Sequence, residues 1–236
     1  MKRFTLKNRY RNLSAWTLLA AMAACGGQDG AETADAAVMD DDPDVTPVVE
    51  SSGIPAGYAV RLDRDGADVT EFSVMDDDGT HHFQTGPAGI FYDRSDVASG
   101  DYTVMATFTE IEAPADHREG MGLVFGGSAL EGADQAYSYF LVRADGHYLI
   151  KLRDGSNTSN VTDGWVESSA VAMATGTSDI TNALEVRVAG SDTHFSINGE
   201  EVAVVPTAEL HTDGIWGYRI NHNLNVRVSD AGQEGM

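Results

Sequence analysis

From Pro55 to Ser229 the chain is written in short β-branched and aromatic runs, broken by Gly, Asp or Asn about every ten residues. No long stretch carries the apolar spacing of an amphipathic helix, so this region can fold only as strands. The expected strands are Tyr58 to Leu62, Glu71 to Met75, Gly89 to Tyr92, Asp101 to Glu110, Met121 to Gly126, Tyr137 to Arg143 and His147 to Arg153. They continue with Ala170 to Met173, Asn182 to Ala189, Asp192 to Ile197, Glu200 to Val205, Gly214 to Ile220 and Leu224 to Ser229. So many antiparallel strands in one domain demand two sheets packed face to face.

Two hairpins have a register that the residues themselves set. Arg143-Ala-Asp-Gly-His147 and Ile197-Asn-Gly-Glu200 place Asp-Gly or Asn-Gly between alternating strands, where tight turns need a positive φ. In the first, counting outward from the turn sets Arg143 against His147, Leu141 against Leu149, Tyr139 against Lys151 and Tyr137 against Arg153. The opposite face pairs Val142 with Tyr148, Phe140 with Ile150 and Ser138 with Leu152. Side chains alternate across a strand, so the second set is expected in the core and the first forms a Tyr, Lys and Arg surface.

The order of these pieces resembles the concanavalin A-like jelly roll and, within it, the family of 3-keto-disaccharide hydrolase-like domains. The likeness is carried by Gly86-Pro-Ala-Gly-Ile-Phe-Tyr92, Gly100-Asp-Tyr-Thr-Val-Met-Ala-Thr-Phe108, Gly122-Leu-Val-Phe-Gly-Gly127, Tyr139-Phe-Leu-Val-Arg-Ala-Asp-Gly146, Asn182-Ala-Leu-Glu-Val-Arg-Val188 and Phe195-Ser-Ile-Asn-Gly199. It implies an all-β sandwich of two antiparallel sheets over roughly Pro55 to Ser229. Lectins, glycan lyases, glycosidases and adhesion modules all use that fold, so activity must be argued from a site.

The N-terminus bears on location. Residues 1–24 carry Lys2, Arg3, Lys7, Arg9 and Arg11 and no acid, followed by an apolar run from Leu13 to Ala24 too short to span a bilayer as a helix. This is an export signal. Ala23-Ala24-Cys25 matches the lipobox of bacterial lipoproteins, with Met22 where Leu is usual, so Cys25 is expected to be the acylated first residue after cleavage. The alternative is an ordinary signal cut at an Ala-x-Ala site beside an incidental thiol. Cys25 is the only cysteine, which rules out an internal disulfide and a cysteine-based zinc site. Residues 25–53 are rich in Gly, Asp and Glu and read as an acidic flexible tether, residues 54–230 as the sandwich and 231–236 as a tail.

Charge restricts the partners. The signal takes five of the 15 basic residues and none of the 37 acidic ones, leaving ten against 37, a formal charge of −27. A surface of that sign repels nucleic acid and anionic lipid, so the lipid anchor is the expected membrane attachment. Lys151 is the one lysine beyond the signal.

Four constellations could carry chemistry. A two-carboxylate glycosidase on this fold needs a Glu-x-Asp-x-x-Glu strand, and Glu110-Ile-Glu112-Ala-Pro114 lacks its third carboxylate and meets a strand-breaking proline. The segment is therefore read as a loop after a strand. The histidines His81, His82, His117, His147, His194, His211 and His222 show no metal-site spacing and read as exposed turn residues. Asp63-Arg-Asp-Gly-Ala-Asp68 and Asp76-Asp-Asp-Gly79 resemble pieces of a calcium loop, but aspartate before glycine is also the ordinary hairpin turn. Calcium is thus the one cofactor to consider, and no metal ligand set is assigned.

The fourth constellation is Tyr137, Tyr139, Lys151 and Arg153, with Trp165 and Trp216 as possible neighbours. Aromatic rings stack on the apolar faces of sugars, and Lys and Arg donate to hydroxyls or carboxylates. The tryptophans could equally lie in the core. These residues lead to an expectation: an exported module of the bacterial cell envelope, lipid-anchored, on the outer membrane by the sorting rule for Gly26, that binds a carbohydrate through Tyr137, Tyr139, Lys151, Arg153 and Trp165 without catalysis of its own. The alternatives are a hydrolase or lyase acting on a modified (3-keto) disaccharide, and a structural surface lipoprotein.

Overall fold

The computed structural model describes residues 54–64, 67–115 and 117–235. The signal, Cys25 and the tether lie outside the described residues. Along the described chain run β1 (Tyr58–Leu62), β2 (Phe72–Asp77), β3 (Thr80–Thr85), β4 (Gly89–Ala98), β5 (Tyr102–Pro114), β6 (Gly120–Ser128), β7 (Ala136–Arg143) and β8 (His147–Asp154). There follow β9 (Asn157–Asn160), β10 (Val166–Glu167), β11 (Thr177–Ala189), β12 (Asp192–Ile197), β13 (Glu200–Pro206), β14 (Gly214–Ile220) and β15 (Asn225–Gly235). No α-helix occurs among the described residues. One sheet has eight strands in the order β1-β4-β14-β6-β7-β8-β10, with β9 also paired to β8; the other has seven, in the order β13-β12-β11-β5-β15-β3-β2. The fold is a jelly-roll sandwich, as the strand pattern implied.

Strict alternation builds the space between the sheets. Tyr102, Val104, Ala106 and Phe108, every second residue of β5, are buried there together with Phe140 and Val142 of β7. Phe140 meets Phe195 of the facing sheet with ring centroids 5.1 Å apart, and Phe108 meets Tyr218 at 5.9 Å, both edge-on. Trp216 also belongs to this core, its Nε1 donating to Gln233 Oε1 at 2.9 Å. Both hairpins have the expected register: β7 pairs β8 with Tyr139 against Lys151 and Tyr137 against Arg153, and Ile197 pairs Glu200. Asn198 and Gly199 have φ of 53° and 82°, the positive pair that a two-residue hairpin requires.

Four expectations change. The segment Glu110 to Pro114 is strand, because Pro114 is the terminal residue of β5, where a missing N–H costs nothing, and it still faces Thr177 of β11. The tail at 231–236 is replaced up to Gly235 by strand: a bulge at Asp230, with φ of 50°, resets β15 so that Gly232 pairs Met105. Ala170 to Met173 forms no strand, since Asn side chains satisfy its backbone: Ala172 N donates to Asn182 Oδ1 at 2.8 Å and Asn198 Nδ2 to Ala170 O at 2.8 Å. And Thr80 to Thr85, whose histidines hide the alternation, is β3.

His81 is therefore no turn residue. It is 4% exposed, with Tyr58 and Phe91 ring centroids at 5.0 and 5.2 Å and Tyr218 at 5.9 Å, and neither ring nitrogen has a hydrogen-bond partner among the described residues. Burial holds its pKa below the usual histidine value, against an opposing pull from Asp76. The unfolded imidazole takes its proton near pH ~6.5 and the folded one only lower, so this contribution to stability is complete above that pH and is lost as the pH falls through the folded pKa. Urea midpoints of the wild type should drop from pH 8 to pH 5 more steeply than those of His81→Phe. Parallel pH profiles would exclude His81 as a source of acid sensitivity.

Candidate functional site

The outer face of the eight-stranded sheet gathers the charged candidates. Pairing across β8, β7, β6, β14, β4 and β1 gives a row of Lys151, Tyr139, Val124, Gly217, Tyr92 and Ala59, and beside it Leu149, Leu141, Gly122, Arg219, Ile90 and Arg61. Tyr137 and Arg153 extend the first row's neighbourhood beyond Tyr139. All of these point away from the sandwich interior, because Phe140, Ile150, Tyr218 and Phe91 take the other side of the same strands.

This face is a second packed layer. Ala59, Ile90, Tyr92, Val124, Leu130, Tyr137, Tyr139 and Leu141 form one apolar cluster against which Trp165 and Ile215 pack. Tyr137 and Tyr139 are only 2% and 5% exposed, with centroids 5.7 Å apart, so they form a floor and their ring faces are not laid open. Burial pushes the Tyr139 hydroxyl up to about 12, which leaves it a neutral donor at any physiological pH. Lys151 and Arg153 are half-buried at the β8 end of that floor. Arg153 Nε donates to Gly155 O at 2.6 Å. Burial, then Arg219 and Arg153, pull the Lys151 pKa below the lysine value. Trp165 is half-buried over Gly120, where a Cβ would come within 2.7 Å of its ring, and Arg143 Cζ lies 4.5 Å from its centroid. The structure thus brings Tyr137, Tyr139, Lys151 and Arg153 together and sets Trp165 toward the Arg143 end of the same face.

Sequence reasoning missed two members, Arg219 and Arg61, and considered Asp63 only as a piece of a calcium loop. Arg219 of β14 is 9% exposed, its guanidinium 5.3 Å from the Tyr139 ring and donating from Nη1 to Asp63 Oδ1 at 2.9 Å and from Nη2 to Asp63 Oδ2. Burial alone would raise the Asp63 pKa, but Arg219 outweighs it and holds the carboxyl below its ordinary value. Arg61 of β1 sends Nη1 to Leu130 O at 2.9 Å. Alternation within Gly217-Tyr-Arg-Ile220 marks Arg219 as facing away from Tyr218, but only the strand order shows that it faces Tyr139. A cavity of about 390 Å³ lies against Asp63, lined also by Asp68, Glu71 and His222, and another of about 320 Å³ lies against Tyr92, whose buried hydroxyl has no partner among the described residues.

The other constellations fall elsewhere. Glu110 is 2% exposed and bonded through Oε1 to His117 Nδ1 at 2.8 Å, whereas Glu112 is exposed, so the two carboxylates share no surface. Burial, opposed by His117, raises the Glu110 pKa. Among the described residues no three His, Cys, Asp or Glu side chains gather as a metal site. Asp68 accepts from Thr70 N at 2.9 Å and Asp76 from Gly79 N at 3.1 Å, both local turn contacts.

No family model matches this sequence, and no curated protein matches it. Solved structures do share its fold. A carbohydrate-binding module, CBM66, from Bacillus subtilis superimposes with a TM-score of 0.54 at 9% identity, over 76% of this chain and 96% of that one. A protein of unknown function with a galectin-like fold, also from Bacillus subtilis, does so with a TM-score of 0.50 at 11% identity, over 75% and 89%. At such identities the likeness is one of architecture, a two-sheet jelly roll.

Proposed function

We propose that this chain is an exported, lipid-anchored module that binds a carbohydrate on the outer face of its eight-stranded sheet and performs no catalysis of its own. The observation that carries the reading is the convergence of Lys151 and Arg153 on a floor of Tyr137 and Tyr139, four polar-tipped side chains drawn from one hairpin onto one face. A sugar presents hydroxyls to such donors, and a longer saccharide chain would extend along the face toward Trp165 at its Arg143 end. The Bacillus subtilis module of the same fold is itself described as carbohydrate-binding, which supports the reading. The anchor rests on Ala23-Ala24-Cys25, and multiple acyl chains on Cys25 would hold the protein firmly.

One experiment tests both parts. Wild-type and Cys25→Ser protein are phase-separated in detergent, and each is then run on native gels containing a panel of polysaccharides. The wild type should enter the detergent phase and the variant the aqueous phase, with the same polysaccharide retarding both. Equal partitioning contradicts the anchor; free migration through every gel contradicts carbohydrate binding.

A further inference from the structure

The outer face concentrates basic side chains in a chain that is strongly acidic. The protein carries 37 acidic against 15 basic residues, and five of the basic ones lie within its first 11 positions. Of the ten that follow, Arg61, Lys151, Arg153 and Arg219 gather on this one face, where Arg219 and Arg153 act electrostatically on Lys151, and they and Arg61 act on Tyr137. Asp63, which lies beside them, has both oxygens engaged by Arg219 and feels Arg153 only at longer range. Among the described residues neither Lys151 nor Arg153 has a carboxylate within ion-pair reach.

Resting on the carbohydrate-binding reading above, we propose that the saccharide bound by this face is anionic, carrying a carboxylate or sulfate that sits between Lys151 and Arg153. Two like charges held side by side and half-buried repel each other and lose hydration, and an anion placed between them relieves both costs. A neutral hydroxyl relieves neither. The acids spread over the remaining surface do not cancel this attraction, because exposed charges farther than the Debye length, ~8 Å at physiological salt, are largely screened. They act on wrong ligands instead, keeping polyanions such as nucleic acid from settling elsewhere on the molecule. Arg219, its charge paired with Asp63 and its guanidinium 5.3 Å from the Tyr139 ring, contributes field and packs on Tyr139; Lys151 and Arg153 contribute the donors.

The test compares ligands on the intact protein. Polygalacturonate, alginate and hyaluronate supply carboxylates, κ-carrageenan supplies sulfate, and laminarin, xylan and dextran are neutral; each carboxylate polymer is also prepared in its carboxyl-reduced form. Affinity electrophoresis at 20 and 200 mM NaCl should show an acidic polymer as the tightest binder, about 10-fold or more weakening on carboxyl reduction, and weaker retardation at the higher salt. Binding of κ-carrageenan alone upholds the anionic ligand with sulfate as its acid group. A neutral polymer as the tightest binder, or unchanged affinity after carboxyl reduction, overturns the anionic ligand while carbohydrate binding stands. Retardation by none of the polymers overturns carbohydrate binding, and the anionic ligand falls with it.

Discussion

Replacing Asp63 by Ala is expected to destabilise the domain by about 3 kcal/mol, because it strands the buried Arg219 guanidinium without its anion. The pair is bidentate, with one bond at 2.9 Å, and Arg219 has only 10% of its side chain exposed against 25% for Asp63. Two buried charges replaced together by apolar groups often cost nothing, so adding Arg219→Met to Asp63→Ala should restore most of the loss. The same pair makes the fold acid-sensitive at a second place: with the Asp63 carboxyl held below its usual pKa, the stability it gives is present above pH ~4 and is lost as the pH falls through the lowered value. Denaturant unfolding of the three proteins at pH 7 measures the effect. A loss below about 1 kcal/mol for Asp63→Ala would mean that water reaches Arg219 freely, as at an ordinary surface ion pair.

The hairpin Tyr137 to Arg153 was legible in the sequence residue by residue, since turn chemistry and alternation are local and fix register without knowledge of the rest. The two-sheet architecture was legible for the same reason, being a sum of local strand signals. What escaped was non-local. Arg61 and Arg219 lie far from the hairpin in sequence, and only the order β1-β4-β14-β6-β7-β8 brings them to it. His81 escaped because histidine is counted as polar in any hydropathy pattern, and the apolar side of β3 is made of His81, Phe83 and Thr85. The exposure of Tyr137 and Tyr139 was overestimated: a sheet face opposite the main core was read as open surface, whereas Leu130, Trp165 and Ile215 pack onto it as a second layer. Ala170 to Met173 looked like a strand because nothing in its own residues announces that Asn182 and Asn198 will serve its backbone.

Lys151→Ala is expected to weaken saccharide binding by about 1.5 to 3 kcal/mol, the worth of a hydrogen bond made by a charged donor. That corresponds to roughly a 10- to 150-fold rise in Kd. Stability should hardly change, because Lys151 makes no ion pair among the described residues and losing it relieves repulsion from Arg219 and Arg153. The contrast with Asp63→Ala separates the two roles on this face: Asp63 and Arg219 build the floor, and Lys151 meets the ligand. Isothermal calorimetry of wild type and Lys151→Ala against the polysaccharide that most retards the wild type, with melting temperatures recorded on the same samples, tests ligand binding at this face most directly. Binding lost at least 10-fold with an unchanged melting temperature is the predicted result; equal affinities for the two proteins would contradict it and place the ligand elsewhere on the molecule.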